Sequence, residues 1–237
     1  MKQPFFYYTY PNTLGFKVGF TTRFKGGGFN LGLNTQQSTQ EVLENREFLA
    51  KILKQPYQNL VFAKQEHTDN ILEVEKGGEY PAVDGFITQK QGIVLNILTA
   101  DCLGIFAYDP DTKIMGAFHA GWKGSAKKIV QKGLKSMIDI GAKAENIKVF
   151  INPGICKNCY EVKEDLKDFF KAEIFSYQNN KMYLDLIKEN TQQILECGVL
   201  KNHITTHLEC TYTSNALYSF RKEKEKAGHF SNFIFME

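Results

Sequence analysis

Three short stretches of this 237-residue chain carry side chains suited to chemistry. They are Gln65-Glu66-His67-Thr68-Asp69, Thr99-Ala100-Asp101-Cys102-Leu103-Gly104 and Ala117-Phe118-His119-Ala120-Gly121-Trp122-Lys123-Gly124. Each sets a histidine or cysteine at the end of an apolar, strand-like run, beside small or turn-forming residues. Strand ends that give way to loops are where a rigid scaffold presents functional groups. One thiolate and two imidazoles, from Cys102, His67 and His119, suit zinc, and three protein ligands leave a fourth tetrahedral position for water or substrate. An open position of that kind lowers the pKa of a bound water to about 7 or polarises a substrate oxygen. The three residues lie far apart in the chain and match no compact metal motif. From spacing alone a second reading stands beside the first, in which each is simply packed or hydrogen-bonded at its strand end.

A rival donor set is Cys156-Lys157-Asn158-Cys159 with His203-Ile204-Thr205-Thr206-His207. It has the residue types of a Cys2His2 finger, but the gap between the pairs far exceeds a finger's roughly 12–15 residues. A redox C-x-x-C is also a poor fit, since that motif usually opens a helix beside a βαβ unit. The five cysteines are an odd number, and the first residues show no long apolar segment before a cleavage site. Reduced thiols or metal ligands are therefore expected, not a disulfide framework, in a soluble, cytoplasmic protein.

The elements that must position these residues read as mixed α/β. Strands are expected at 14–22, 59–63, 92–99, 103–108, 113–119 and 147–151, and the alternating tail 230–236 could close a sheet. Helices are expected over 38–53, 125–140, 162–172 and 185–197. Ser38 and Glu41 form a capping-box signature for the first, and Pro56 follows its end. Gly141 and Gly198 sit where C-terminal glycines belong. Hairpin signals such as Asp109-Pro110-Asp111-Thr112 argue against a pure βαβ array, and the whole of 1–237 reads as one domain. The formal charge is only +3, and the densest charged run, Arg221 to Lys226, alternates in sign. That is a solvated face and not a nucleic-acid groove. No apolar run approaches membrane-spanning length.

At the level of motifs the chain resembles, nearly end to end, the YfiH-like laccase-domain family, also described as a purine nucleoside phosphorylase family. Thr21-Thr22-Arg23 with Gly26-Gly27-Gly28 and Leu31-Gly32-Leu33-Asn34 is similar to its Arg-then-Gly segment, Gln65-Glu66-His67 to its Gln-x-His, and Val83-Asp84-Gly85-Phe86-Ile87-Thr88 to its Asp-containing strand. Thr99-Ala100-Asp101-Cys102 and His119-Ala120-Gly121-Trp122-Lys123-Gly124 resemble its two most specific motifs. Cys159-Tyr160-Glu161-Val162, Tyr183-Leu184-Asp185-Leu186, Cys210-Thr211-Tyr212 and Tyr218-Ser219-Phe220-Arg221 continue the match. The resemblance implies a layered α/β/β/α sandwich of mixed sheets with flanking helices. It also implies metal binding by His67, Cys102 and His119, with zinc as the cofactor and copper as the alternative. The chain departs from the family in having Thr68-Asp69 after the Gln-x-His and Asn158 before Cys159. Asp69 reads as a loop carboxylate or, less simply, as an acceptor orienting an imidazole. Cys156 reads as incidental.

The activity implied is phosphorolysis of adenosine, inosine and methylthioadenosine, with deamination of adenosine; the partners are a purine nucleoside and phosphate. Cys102 and His119 would be catalytic. Arg23 would clamp phosphate beside the Gly-rich loop, with Lys64 and Lys123 as weaker candidates for the same task. Asp101 is expected to anchor structure, facing away from Cys102 if the strand persists there. Trp122 would either wall the pocket or pack. The alternatives are an amidase-type hydrolase editing peptidoglycan precursors, a metal-free cysteine hydrolase with Cys102 as nucleophile and His119 as base, and, least favoured, a copper polyphenol oxidase.

Overall fold

Side-chain alternation along the strands sorts the chain into layers in the computed structural model, which describes residues 7–24 and 28–237. Gly26 and Gly27 of the Gly-rich segment lie outside the described residues. In chain order the strands are β1 (Tyr7–Thr9), β2 (Phe16–Thr21), β3 (Leu60–Lys64), β4 (Ile71–Glu73), β5 (Gly78–Pro81), β6 (Gly85–Thr88), β7 (Val94–Thr99) and β8 (Leu103–Asp109). They continue as β9 (Ile114–Ala120), β10 (Lys148–Ile151), β11 (Glu161–Val162), β12 (Phe175–Gln178), β13 (Lys181–Leu184), β14 (Ile204–Thr206) and β15 (Phe230–Met236). The helices are α1 (Thr39–Leu53), α2 (Trp122–Ala126), α3 (Ile129–Asp139), α4 (Leu186–Glu196) and α5 (Phe220–Glu223). One sheet has the order β1-β2-β15-β7-β3-β5, a second β14-β10-β8-β9-β6-β4, and a small third β11-β13-β12.

Period-two alternation sends Phe106 and Tyr108 of β8, and Met115 and Ala117 of β9, into the space between the two large sheets, where they meet Phe16, Val18, Leu95, Ile97 and Ile234. The intervening residues Leu103, Ile105, Ala107 and Phe118 face outward onto Leu134 and Met137 of α3 and Ile194 of α4. On the far side, Leu49 and Leu53 of α1 cover Leu60, Phe62, Val94, Leu98, Phe233 and Phe235 of the first sheet. The result is the α/β/β/α sandwich. Strands buried on both faces explain why the central runs read as almost continuously apolar.

The capping box on α1 forms as expected, with Ser38 Oγ accepting from the Glu41 N–H and the Glu41 carboxylate accepting from the Ser38 N–H. Three expectations change. The helix expected over 125–140 is two helices, broken at Lys127-Lys128, where Lys128 takes φ 62. Extended Gly121 caps the first of them, so α2 starts at Trp122. Residues 162–172 form no α-helix: Glu161 and Val162 pair with β13, and two short 3-10 turns, at Glu164–Asp168 and Ala172–Ile174, carry the chain on to β12. The tail, β15, lies in the middle of its sheet, between β2 and β7, where it is buried throughout.

β3 and β7 are parallel, so their C-terminal ends share one edge of the sandwich. β8 and β9 are antiparallel with Gly104 opposite His119, so the start of β8 meets the end of β9. Residues 100–102 cross from the first sheet to the second at that edge. His67, Cys102 and His119 are thereby brought to one place.

Candidate metal centre

The ligating atoms of His67, Cys102 and His119 all lie within 4.8 Å of one another. His67 Nε2 stands 3.9 Å from Cys102 Sγ, and the two imidazole rings are 4.8 Å apart between centroids. A tetrahedral zinc with ordinary Zn–S and Zn–N lengths sets such atoms roughly 3.3–3.6 Å apart. Small side-chain rotations bring the group to that spacing, so the residues fit the ion. His119 is buried and Cys102 half-buried, while His67 is exposed on the solvent side. His67 at φ 59 and Asp101 at φ 106 both hold backbone conformations unusual for non-glycine residues. Strain of this kind, clustered at one point, is characteristic of sites that need fixed geometry.

Gly121 is part of the cradle. A Cβ there would stand 2.7 Å from Cys102 Sγ and 3.2 Å from His67 Cδ2. Its backbone, φ −75 and ψ 177, is open to alanine, so the whole effect of substitution falls on the group. Gly121→Ala is expected to weaken metal affinity by about 10–100-fold, the scale of other disturbances beside metal ligands, while leaving the metal-free melting temperature nearly unchanged. A competitive chelator titration checks this; equal affinities would contradict it.

Asp84, immediately before β6, organises the site from beneath. Its carboxylate is fully buried and accepts from the N–H groups of Glu66, His67 and Thr68, from Thr68 Oγ1, and at 2.7 Å from His119 Nδ1. That last bond leaves Nε2 as the nitrogen His119 can offer to an ion. Burial opposes ionisation of Asp84, but the His119 hydrogen bond and charge and the Thr68 donors win, and its carboxyl titrates at about 2.

Cys102 and His119 likewise hold each other charged. Burial pushes the Cys102 thiol up, but the charge of His119 overrides it and brings the thiol down to about 6. Burial pushes His119 down, and the Cys102 thiolate and Asp84 lift it to about 9. The thiolate–imidazolium pair of the metal-free protein therefore stabilises the fold between these limits. Its contribution is lost as pH falls through about 6, where the thiolate is protonated, and as pH rises through about 9, where the imidazolium is discharged. The thiolate absorbance and alkylation rate of Cys102 in the metal-free protein, read as the difference from Cys102→Ser, are expected to reach half-maximum near pH 6; a midpoint at the ordinary thiol value would contradict this.

The group opens onto a cavity of about 560 Å³, within the range of small-molecule sites. Tyr160, Trp122 and Phe220 give it aromatic walls, and Arg221, Lys224 and His229 give it polar ones. His229 presses against Gly32, and among the described residues its buried Nδ1 has no hydrogen-bond partner. Burial, and then the charges of His119 and His67, lower it to about 4, so it is neutral at physiological pH. Gln65 of the Gln-x-His lines the cavity but spends its amide on both backbone groups of Leu98, tying the end of β3 to β7.

The expected phosphate cations are placed otherwise. Arg23 does not line this cavity. Its two terminal nitrogens are engaged by Glu223 at 2.9 and 2.8 Å, and its guanidinium lies over Tyr218. Lys64 is exposed beside a neighbouring smaller depression, and Lys123 is exposed over the Trp122 ring. Arg221 and Lys224, in the run read as a solvated face, are the cations of the cavity wall. Arg221 donates to the Glu161 carbonyl and sits over the Tyr160 ring. Asp69 is a loop carboxylate paired with Lys132 and Lys127, so the imidazole-orienting role falls to Asp84. Asp101 follows the end of β7 and anchors structure, accepting from Thr211 Oγ1 and the Arg221 N–H. The C-x-x-C groups with Cys210 and not with the H-x-x-x-H, whose His207 packs among Tyr8, Tyr10 and Phe20. Among the described residues no helix is long and apolar enough to cross a membrane.

Comparison with known proteins places the chain among relatives that match it over most of its length. The chain is 31% identical to "Purine nucleoside phosphorylase YlmD" of Bacillus subtilis, over 93% of this chain and 88% of that one. It is 32% identical to "Purine nucleoside phosphorylase" of Deinococcus radiodurans, over 88% and 85%. Among solved structures, YfiH of Bacillus licheniformis superposes with a TM-score of 0.93 at 27% identity, covering 100% of this chain and 98% of that one. YlmD of Geobacillus stearothermophilus superposes with a TM-score of 0.90 at 28% identity, covering 96% and 94%. The family profile described as multi-copper polyphenol oxidoreductase laccase matches residues 17–237, and the chain belongs to that family.

Proposed function

We propose that this protein is a zinc-dependent purine nucleoside phosphorylase that also deaminates adenosine, acting on adenosine, inosine and methylthioadenosine. The observation that carries the reading is the convergence of His67, Cys102 and His119 at the wall of a cavity that also holds two cations and three aromatic rings. The names borne by the relatives support the reaction class. Held by these three residues, zinc would supply Lewis-acid polarisation and activate water. Asp84 fixes the ring of His119 for this task. Tyr160 and Phe220 offer faces for a purine to stack on. Arg221 and Lys224 are the cations suited to phosphate, whose oxygen attacks the anomeric carbon as the bond to the base nitrogen breaks and the base leaves with a proton. Copper also suits one thiolate and two imidazoles. Zinc is preferred because neither reaction changes a redox state.

The relay from Cys102 through His119 to Asp84 favours one second reading, a cysteine hydrolase without metal. Incubation of the metal-loaded protein with adenosine separates the two. Adenine and ribose 1-phosphate are expected only when phosphate is present, with inosine forming in water alone. Formation of neither adenine nor inosine would overturn the proposal in favour of the hydrolase.

A further inference from the structure

A second cluster of soft donors lies behind the cavity wall. Cys156 and Cys159 follow β10 in a tight turn closed by the Cys159 and Tyr160 N–H groups, both donating to the Cys156 carbonyl. Cys210, far along the chain, is brought beside them by the parallel bridge between Gly154 and Cys210 and by the Thr211 N–H donating to the Gly154 carbonyl. The three sulfurs lie within 4.8 Å of one another, all as free thiols. The Cys156 N–H donates to Cys210 Sγ at 3.2 Å, a contact that favours a sulfur bearing negative charge.

We propose that Cys156, Cys159 and Cys210 form a second metal site, a three-thiolate site for a soft d10 cation, Zn²⁺ or Cu⁺. Thiolates select these ions over harder ones. A C-x-x-C turn is the spacing by which one turn gives two sulfurs to one ion, and the third then comes from a segment distant in sequence. Sulfurs around such an ion stand roughly 3.8 Å apart, close to what the cluster already provides. Cys156 and Cys159 are half-buried, so an ion can enter from solvent and a solvent donor can complete a fourth position for zinc. The ion would tie the segment leading to Tyr160, which lines the cavity, to the segment holding Thr211, which donates to Asp101 next to Cys102. The site is a clamp on the cavity wall, separate from the His67–Cys102–His119 group.

The test uses the full chain, purified under reductant and equilibrated with Zn²⁺ in one arm. In the other, the zinc-loaded first site is challenged with Cu⁺ under anaerobic conditions. Metal content is read for the wild type and for Cys159→Ser, Cys156→Ser and Cys102→Ser. Cys159→Ser is expected to lose one equivalent relative to wild type in either arm. Cys102→Ser is expected to keep that equivalent and lose the other. If Cys159→Ser does not fold, Cys156→Ser carries the same expectation. A Cys159→Ser or Cys156→Ser protein that binds as much of both ions as wild type would overturn the proposal. So would a disulfide among the three in protein kept under reductant. Because the variant and not the total assigns each ion, failure of the first site leaves this result readable.

Discussion

Replacing Cys102 with serine is expected to strip the His67–Cys102–His119 group of its metal and to lower phosphate-dependent release of adenine on the order of a thousandfold, the consequence of losing several kcal/mol of charge stabilisation in the transition state. The reason lies in the donor. Cys102 is held as a thiolate down to about pH 6 by the charge of His119, against the opposing effect of burial. A serine hydroxyl stays protonated and is a hard, weak ligand, and the two imidazoles alone make a poor site. The substitution is nearly isosteric and falls in a half-buried crossing between β7 and β8, so the fold should survive it. Metal analysis beside the activity assay reads the outcome. A metal-free cysteine hydrolase would lose its nucleophile with no change in metal content. A serine variant that retains the full complement of metal at this group would contradict the account.

Asp84→Asn is expected to destabilise the metal-free protein by about 3–5 kcal/mol, as breaking a fully buried charged pair does, and to weaken metal affinity by about 10–100-fold. The Asp84 carboxylate accepts from three backbone N–H groups and one hydroxyl of the part-buried 66–68 loop, and from the buried His119 ring. An asparagine has one oxygen to offer, and its amide nitrogen confronts donors, so several N–H groups lose their partner at once. The same bonds set the loop that carries His67. The pH dependence has a definite sign: with Asp84 held at about 2, its contribution is complete above the ordinary carboxylate range and is lost as pH falls through about 2. Urea unfolding of metal-free protein and a chelator titration measure the two effects. An asparagine variant as stable as wild type, with equal affinity, would show that Asp84 does not organise the site.

Much of the frame is legible in the residues because its signals are local. Ser38 and Glu41 announce the start of α1, Asp185 and Gly198 bound α4, and the apolar runs of β7, β8 and β9 are strands buried on both sides. What is lost is set by distant partners. Glu161 and Val162 belong to a strand only because β13 lies alongside, and strands such as β1, β4 and β12 are three or four residues long, too short to carry a period. The break at Lys128 is a left-handed residue of a type that gives no warning. The ligand trio is legible by type, but its convergence depends on a parallel pair, β3 and β7, and an antiparallel pair, β8 and β9, that no spacing reveals; resemblance to a family supplied it. Asp84 enters the sequence reading only within the family's Asp-containing strand, and no spacing ties it to His119, so the carboxylate beneath that ring is hidden. Arg221 and Lys224 sit in a sign-alternating run that reads as solvated, although one side of it faces the cavity.

Diffraction decides whether His67, Cys102 and His119 hold one cation between them. Crystals of the protein equilibrated with zinc, measured on both sides of the zinc absorption edge, should show an anomalous peak within bonding distance of Cys102 Sγ and of one ring nitrogen each from His67 and His119. Zinc-equilibrated crystals with no such peak, or with zinc bound to the protein and none of it at these three side chains, would show that the three residues hold no ion.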